Sequence, residues 1–293
     1  MTNTTTHLTA NAANLLSEPE AGRIRAIKSR RWVLYPRAKQ TLDRLEELLE
    51  HPRGTRMPSI AIYGDSGMGK TTIMKRFRDQ HPPSFDRKSG VLKTPVLAME
   101  MVSRPGERRF YGELLTLLGA PQAPRADIAQ MEQAALRIMA AIGVKVLVID
   151  EVHNIIAGTY REQRIVLNTL RFLSNRLQIS LVCFGVNEAR EAIGGDVQLT
   201  RRFEQITLGR WAANEDYETL VTSILRNTPL RNPSVLTLKS LRRILQITDG
   251  VTANIFQIIN SIAIDAIENG NECITDSTVE KWMPTFDTDA AVA

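Results

Sequence analysis

The sequence predicts an α/β protein: a parallel sheet flanked by helices, followed by a small all-helical domain. Three observations carry this. The run Gly64-Asp65-Ser66-Gly67-Met68-Gly69-Lys70-Thr71 falls between an apolar stretch, Ser59 to Tyr63, and a helical pattern over Thr71 to Gln80. A second apolar run, Val146-Leu147-Val148-Ile149, ends in the carboxylates Asp150 and Glu151. Strand signals stop near Arg210, and from Asn214 onward only helical periodicity remains.

The first run is G-x-x-x-x-G-K-[ST], a phosphate-binding loop. Its glycines let the backbone curl so that successive N–H groups face one concavity that accepts phosphate oxygens. Gly64, Asp65, Ser66, Gly67, Met68 and Gly69 supply that backbone. Lys70 reaches toward β- and γ-phosphates, the Thr71 hydroxyl suits Mg²⁺, and Thr72 follows in the first helical turn. Such a pattern arises by chance in roughly one chain in a hundred of this length, given Gly near 7%. The strand before it and the helix after it therefore matter: the helix N-terminus adds its dipole to the phosphate site. The bland alternative is a glycine-rich turn ending in a surface lysine.

Bulk composition narrows the class. At 293 residues the chain has room for one α/β core and a smaller domain. With 43% hydrophobic and 24% charged residues it is globular in character. The net charge of +5 permits a nucleic-acid partner without establishing one. Two cysteines, Cys183 and Cys273, give no zinc or disulfide framework, and Cys183 reads as a core residue. The sequence holds no apolar stretch of about 18 residues, and its Thr- and Asn-rich start is no signal peptide. The expectation is a cytoplasmic protein with no membrane partner.

In chain order, residues 1–20 read as a disordered tail. Residues 21–54 form a basic segment and a helix. Arg23, Arg25, Lys28, Arg30, Arg31, Arg37 and Lys39 interleave with Ile24, Ile27, Trp32, Val33, Leu34 and Tyr35. That mixture suits nucleic acid or a partner protein, with Arg30 and Arg31 as candidate contacts. The alternative is a solvated basic face whose apolar residues dock on the core. Gln40 to Glu50 is a helix stopped by His51-Pro52-Arg53-Gly54.

Residues 55–210 are the α/β core. After the loop, Pro95 to Met101 is a strand, Ser103-Arg104-Pro105-Gly106 a turn, and Glu107 to Gly119 a helix. Arg104, Arg108 and Arg109 gather at the start of that helix, where cations oppose the dipole. They are candidate phosphate contacts on DNA; the alternative is three solvated arginines. Ala126 to Ile142 is amphipathic, with Met131 and Met139 as core fillers.

Lys145 to Glu151 is a strand buried on both faces. It ends where open α/β sheets bind ligands, so Asp150 suits Mg²⁺ and Glu151 suits the base that activates a water. Gln163 to Leu177 is a helix and Ile179 to Phe184 a further strand. Asn187, just past it, is the candidate to reach the γ-phosphate or the water. Phe203 to Leu208 is the last strand, preceded by Arg201 and Arg202. Residues 211–284 form the helical domain, with helices over 214–226, 236–247, 251–269 and 276–283, and 285–293 is a tail.

The order of the two nucleotide motifs, the polar turn, the arginine pair and the helical lid resembles the AAA+ ATPases from about residue 40 to 283. Within them the chain resembles the TniB/TnsC-type transposition helpers, relatives of replication-initiator ATPases. That closer resemblance is carried by Ile24 to Pro36, Ala61-Ile62-Tyr63 into GDSGMGKTT, VKVLVIDEVHNI and SLVCFGVNEA. It implies a five-stranded parallel sheet in the order 5-1-4-3-2 with a helical lid. It implies an ATPase, ATP with Mg²⁺ bound between subunits of a homo-oligomeric ring or filament on double-stranded DNA, and recruitment of a DDE transposase, in concert with a target-selector protein. Hydrolysis would release the DNA. By motif matching Lys70 and Thr71 take the Walker A roles, Asp150 and Glu151 the Walker B roles, and Asn187 the sensor-1 role. Arg201 or Arg202 would be the finger stabilising charge on a neighbour's ATP.

One stretch departs from the pattern. Initiator-type relatives often carry G-x-P-R in the lid, whereas here it reads Gly250-Val251-Thr252-Ala253-Asn254, without arginine; Arg242 and Arg243 lie upstream. Three other classes compete. Asp150-Glu151-Val152-His153 mimics a helicase box, but the chain has no strands for a second motor domain, so His153 reads as a loop residue. A protein-remodelling ATPase differs by not binding DNA, and a replication-type loader by its partner.

Overall fold

The computed structural model describes residues 6–29, 31–88, 90–120, 126–194 and 201–283. The chain folds as two compact units, residues 1–36 with 210–293 and residues 37–209. Arg30, a candidate contact, and the expected tail at 285–293 lie outside the described residues.

The N-terminal residues differ from the expected disordered tail. Helix α1 spans Ala10–Asn14, capped by the Thr9 side chain, and α2 spans Glu20–Lys28. Both belong to the helical unit rather than to the α/β core, so the expected 21–54 segment divides at residue 36. The reason is a set of polar ties and buried apolar groups. Thr9 N–H donates to Arg226 O at 2.9 Å, and Ile27, Val33 and Tyr35 are buried. Arg23 is fully buried, and its two terminal nitrogens each lie 2.6 Å from a Glu272 carboxylate oxygen. Ile27, Val33 and Tyr35 of the basic stretch are thus packing residues, whereas Leu34 is exposed.

The α/β unit opens with α3, Pro36–Glu50, four residues earlier than periodicity predicts, because proline's fixed φ suits a first helical turn. Then follow β1 (Ser59–Tyr63) and α4 (Lys70–Gln80), which buries Ile73, Met74 and Phe77. Next comes an antiparallel hairpin, β2 (Ser84–Asp86) and β3 (Val91–Lys93), which sequence reasoning does not find. The unit continues through β4 (Val96–Glu100), α5 (Glu107–Leu117) and α6 (Ile128–Ile142), the last opened by an Asp127 capping box. It closes with β5 (Val146–Asp150), α7 (Tyr160–Leu177), β6 (Ser180–Gly185), α8 (Ala189–Gly194) and β7 (Phe203–Thr207).

Five strands form one parallel sheet in the order β4-β5-β6-β1-β7, which is the expected 5-1-4-3-2 arrangement of the sheet strands in chain order. The inner strands β1, β5 and β6 are buried along their whole length, as contiguous apolar runs require when helices cover both faces. Cys183 sits in that core, where burial pushes its thiol up to about 12.

Among the described residues the helical unit also holds α9 (Glu215–Arg226), α10 (Leu238–Thr248), α11 (Thr252–Glu268) and α12 (Asp276–Lys281). Trp211 packs edge-on against Tyr35 at 5.5 Å, and its ring N–H donates to Thr252 Oγ1 at 2.9 Å. Among the described residues, no helix is long and apolar enough to cross a membrane.

Candidate active site

The parallel order brings the C-terminal ends of β1, β5 and β6 side by side, so three sequence-distant turns converge. Gly64, first residue past β1, approaches the backbone so closely that a Cβ there would stand 2.6 Å from Leu208 O. Gly67 and Gly69 adopt φ of 79° and 92°, the left-handed conformation glycine accepts without cost. The loop therefore has the backbone of a phosphate cradle. Lys70 closes it, its Nζ donating to Gly64 O at 2.7 Å and Asp65 O at 3.0 Å. Burial pulls the Lys70 ammonium below its ordinary range, opposed by the carboxylates of Glu151, Asp150, Asp65 and Glu188. A buried ammonium at the mouth of such a loop suits the phosphate oxygens of an anion.

Thr71, one residue into α4, donates its hydroxyl to Asp150 Oδ2 at 2.9 Å. Asp150 is buried and its other oxygen accepts from the Glu151 N–H at 2.9 Å. A hydroxyl and a carboxylate converging at the lip of a phosphate cradle are hard oxygen ligands of the kind Mg²⁺ takes alongside phosphate oxygens. The residues present fit ATP with Mg²⁺. Asn187, past β6, donates from Nδ2 to Asp65 Oδ1 at 2.9 Å, which ties the third turn to the loop. Glu151 has φ 53° and ψ 37°, left-handed for a non-glycine residue, and its side chain is half-buried.

The arginines sort differently from their expected grouping. Arg202 turns to Asn175, with Nη1 donating to Oδ1 at 2.6 Å, and its backbone O accepts from Ser59 N–H at 3.1 Å. Arg201 is exposed. Arg108 and Arg109 are exposed and line an open groove of about 1010 Å³ between α5 and α6, together with Glu100, Glu113, Gln130 and Asn154. Arg104 is exposed on the preceding turn. Hydrogen bonds from Thr159 hold the Glu162 carboxyl below its ordinary range, and the Arg104 charge adds to this.

Arg31 leaves the set of surface contacts. It donates to Asn227 O at 2.6 Å and Asn260 Oδ1 at 2.5 Å, and burial pulls its guanidinium down to about 10. A cation spent on internal acceptors is not offered to DNA. In the helical unit, Arg243 donates to the carbonyls of Val279 and Glu280, at 3.2 and 3.0 Å, at the end of α12.

The sequence profile described as "Bacterial TniB protein" matches residues 23–213, more than half of the chain. No curated protein matches it. Among solved structures, the Aeropyrum pernix ORC2 protein, in its ADPNP-ADP complexes, is similar at a TM-score of 0.61. It is 15% identical over 88% of this chain and 70% of that one. The Cdc6p protein of Pyrobaculum aerophilum is also similar, with TM-score 0.61, 18% identity, and coverage of 85% and 67%. The Aeropyrum pernix ORC1 protein in complex with DNA gives TM-score 0.56 and 14% identity, covering 88% and 67%. At these identities the likeness is one of fold, and that fold is the AAA+ P-loop fold. With its profile match over residues 23–213, the chain belongs to the bacterial TniB protein family.

Proposed function

We propose that this protein is an ATP-switched, DNA-binding transposition helper that hydrolyses ATP to ADP and phosphate. The observation that carries the ATPase reading is the convergence of Lys70, Thr71, Asp150 and Asn187 on one phosphate cradle. Lys70 and the loop N–H groups hold the triphosphate, and Thr71 and Asp150 hold Mg²⁺. The metal, when bound, neutralises charge on the phosphate oxygens. Glu151 takes the proton of the attacking water, Asn187 orients that water, and Arg201 serves a neighbouring subunit's site in a ring or filament.

The DNA reading is supported by Arg108 and Arg109 on the α5–α6 groove, by Arg104 nearby, and by the DNA complex of the ORC1 neighbour. Family membership supports a DDE transposase, with or without a target-selector protein, as the partner. The deciding measurement is duplex binding by purified protein across a salt series, with an ATP analogue and without nucleotide. Salt-sensitive, sequence-tolerant binding only with nucleotide is expected. No binding in either state would sink the transposition reading in favour of a protein-remodelling ATPase.

A further inference from the structure

His153 takes no part in the proposed hydrolysis, yet its ring stands beside the proposed base. It is the second residue of a 3-10 turn, Val152–Ala157, that begins directly after Glu151. Its Nδ1 lies 3.0 Å from Glu151 Oε2. That nitrogen is shielded from solvent and makes no aligned hydrogen bond, so the carboxylate oxygen lies within its reach but off the N–H direction, and a small turn of the Glu151 side chain would align the two. Beside an ionised carboxylate the tautomer that fits carries its proton on Nδ1.

The turn is a rigid mount. Val152 and Ile155 are fully buried, and the Asn154 N–H donates to Glu151 O at 2.9 Å. The Asn154 side chain donates to Met101 O, also at 2.9 Å, which pins the turn to the loop after β4. Gly185 lets the turn press on the end of β6: a Cβ there would stand 2.8 Å from Val152 Cγ1. Glu151, by contrast, is a flexible side chain on a left-handed backbone, a conformation that non-glycine residues rarely adopt.

From this geometry we infer that His153 is the positioning residue for Glu151, donating from Nδ1 to hold the carboxylate in line for the attacking water. The inference rests on Glu151 being the base. A general base must sit within hydrogen-bond reach of the proton it takes, and a carboxylate free to swing spends little time there. A donor on a fixed turn removes that freedom.

The test is steady-state ATP hydrolysis by full-length His153→Ala, His153→Asn and His153→Gln, each alone and combined with Glu151→Gln, with melting temperatures measured in parallel. Asparagine places an N–H donor where Nδ1 stood; glutamine places it farther out. Expected for His153→Ala is a kcat lowered about tenfold, the scale of losing an orienting partner, with KM for ATP unchanged. His153→Asn should recover most of the rate, His153→Gln should not, and in the Glu151→Gln background none should lower the residual rate further. If His153→Ala fails to fold, the Asn and Gln variants carry the same contrast. An unchanged or raised kcat, equal losses in Asn and Gln, or a further loss without Glu151 would each overturn the assignment. Glu151→Gln hydrolysing at the wild-type rate would overturn the base itself. An inactive Glu151→Gln with a normal His153→Ala overturns only the role of His153.

Discussion

The buried pair Arg23–Glu272 shows how much a single charge can decide. Glu272 sits at φ 56°, accepts both terminal nitrogens of Arg23 and also lies 3.3 Å from the Arg231 N–H. The Arg23 hydrogen bonds hold its carboxyl below the ordinary range, against burial, which pushes it up. A carboxylate whose pKa is lower folded than unfolded contributes its full stability above the unfolded value, about 4.3, and loses it as pH falls toward the folded value. Urea titrations of the full chain should therefore show the helical unit weakening below about pH 4.5, with a smaller acid dependence in Glu272→Gln. Glu272→Ala leaves Arg23 buried without its partner and should cost about 3–5 kcal/mol, whereas Arg23→Met with Glu272→Leu should be near neutral. Gly250 is a second residue of this kind. Its φ is 65°, and a Cβ there would stand 2.4 Å from Trp211 O and 2.8 Å from Trp211 N, both backbone atoms. Gly250→Ala should lower the melting temperature by several degrees, equivalent to about 2 kcal/mol or more. An unchanged melting temperature would mean that the 210–211 backbone yields.

At the scale of elements, α5 begins with Glu107 followed by two exposed arginines, and has no side-chain cap at Gly106. Cations in a first helical turn oppose the dipole, so removing them cannot weaken the helix. Arg108→Ala with Arg109→Ala should leave the melting temperature unchanged or slightly raised. It should weaken duplex binding to all sequences alike and reduce the salt slope by roughly 0.9 for each phosphate that an arginine no longer neutralises. Unchanged binding would return these arginines to solvated surface. The inner strands and the phosphate loop were legible in the sequence because burial on both faces writes a contiguous apolar run, and the cradle needs its glycines and lysine contiguous. Elements without such a signature were not. The β2–β3 hairpin has three-residue strands, and its facing pair Phe85 and Leu92 is exposed, so no alternation marks it. Helix α2 hides its inward face because Arg23 stands where periodicity asks for an apolar residue. Nor does residue type tell that Arg31 is spent on internal acceptors while Arg108 is not; the partners Asn227 and Asn260 are far off in the chain. The same holds for His153, whose bearing on Glu151 comes from the left-handed turn between them.

At the scale of the whole molecule the open question of the arginine pair becomes a statement about assembly. Arg202 ties the start of β7 to α7 through Asn175, so its loss should cost about 0.5–1.5 kcal/mol and leave hydrolysis largely intact. Arg201, adjacent and exposed, is the member of the pair proposed here to act outside its own subunit. A guanidinium supplied in trans stabilises charge on the transferring phosphoryl group and is worth about 10³-fold or more in rate. Arg201→Ala should then bind ATP and duplex normally yet hydrolyse at that reduced rate. Its defect differs in place from that of Glu151→Gln: the first leaves a competent base at its own site and fails its neighbour, the second does the reverse. Mixing the two inactive proteins on DNA should therefore regenerate working interfaces, where an Arg201→Ala site faces the intact arginine of a Glu151→Gln subunit. Random mixing at equal concentrations makes about a quarter of interfaces wild-type in both respects, so roughly a quarter of the wild-type rate per site is expected if interfaces act independently. A mixture as inactive as its components would place the finger elsewhere or make each site complete within one chain. An Arg202→Ala protein that is inactive alone and recovers in the mixture, beside an Arg201→Ala protein that hydrolyses normally alone, would exchange the roles of the pair.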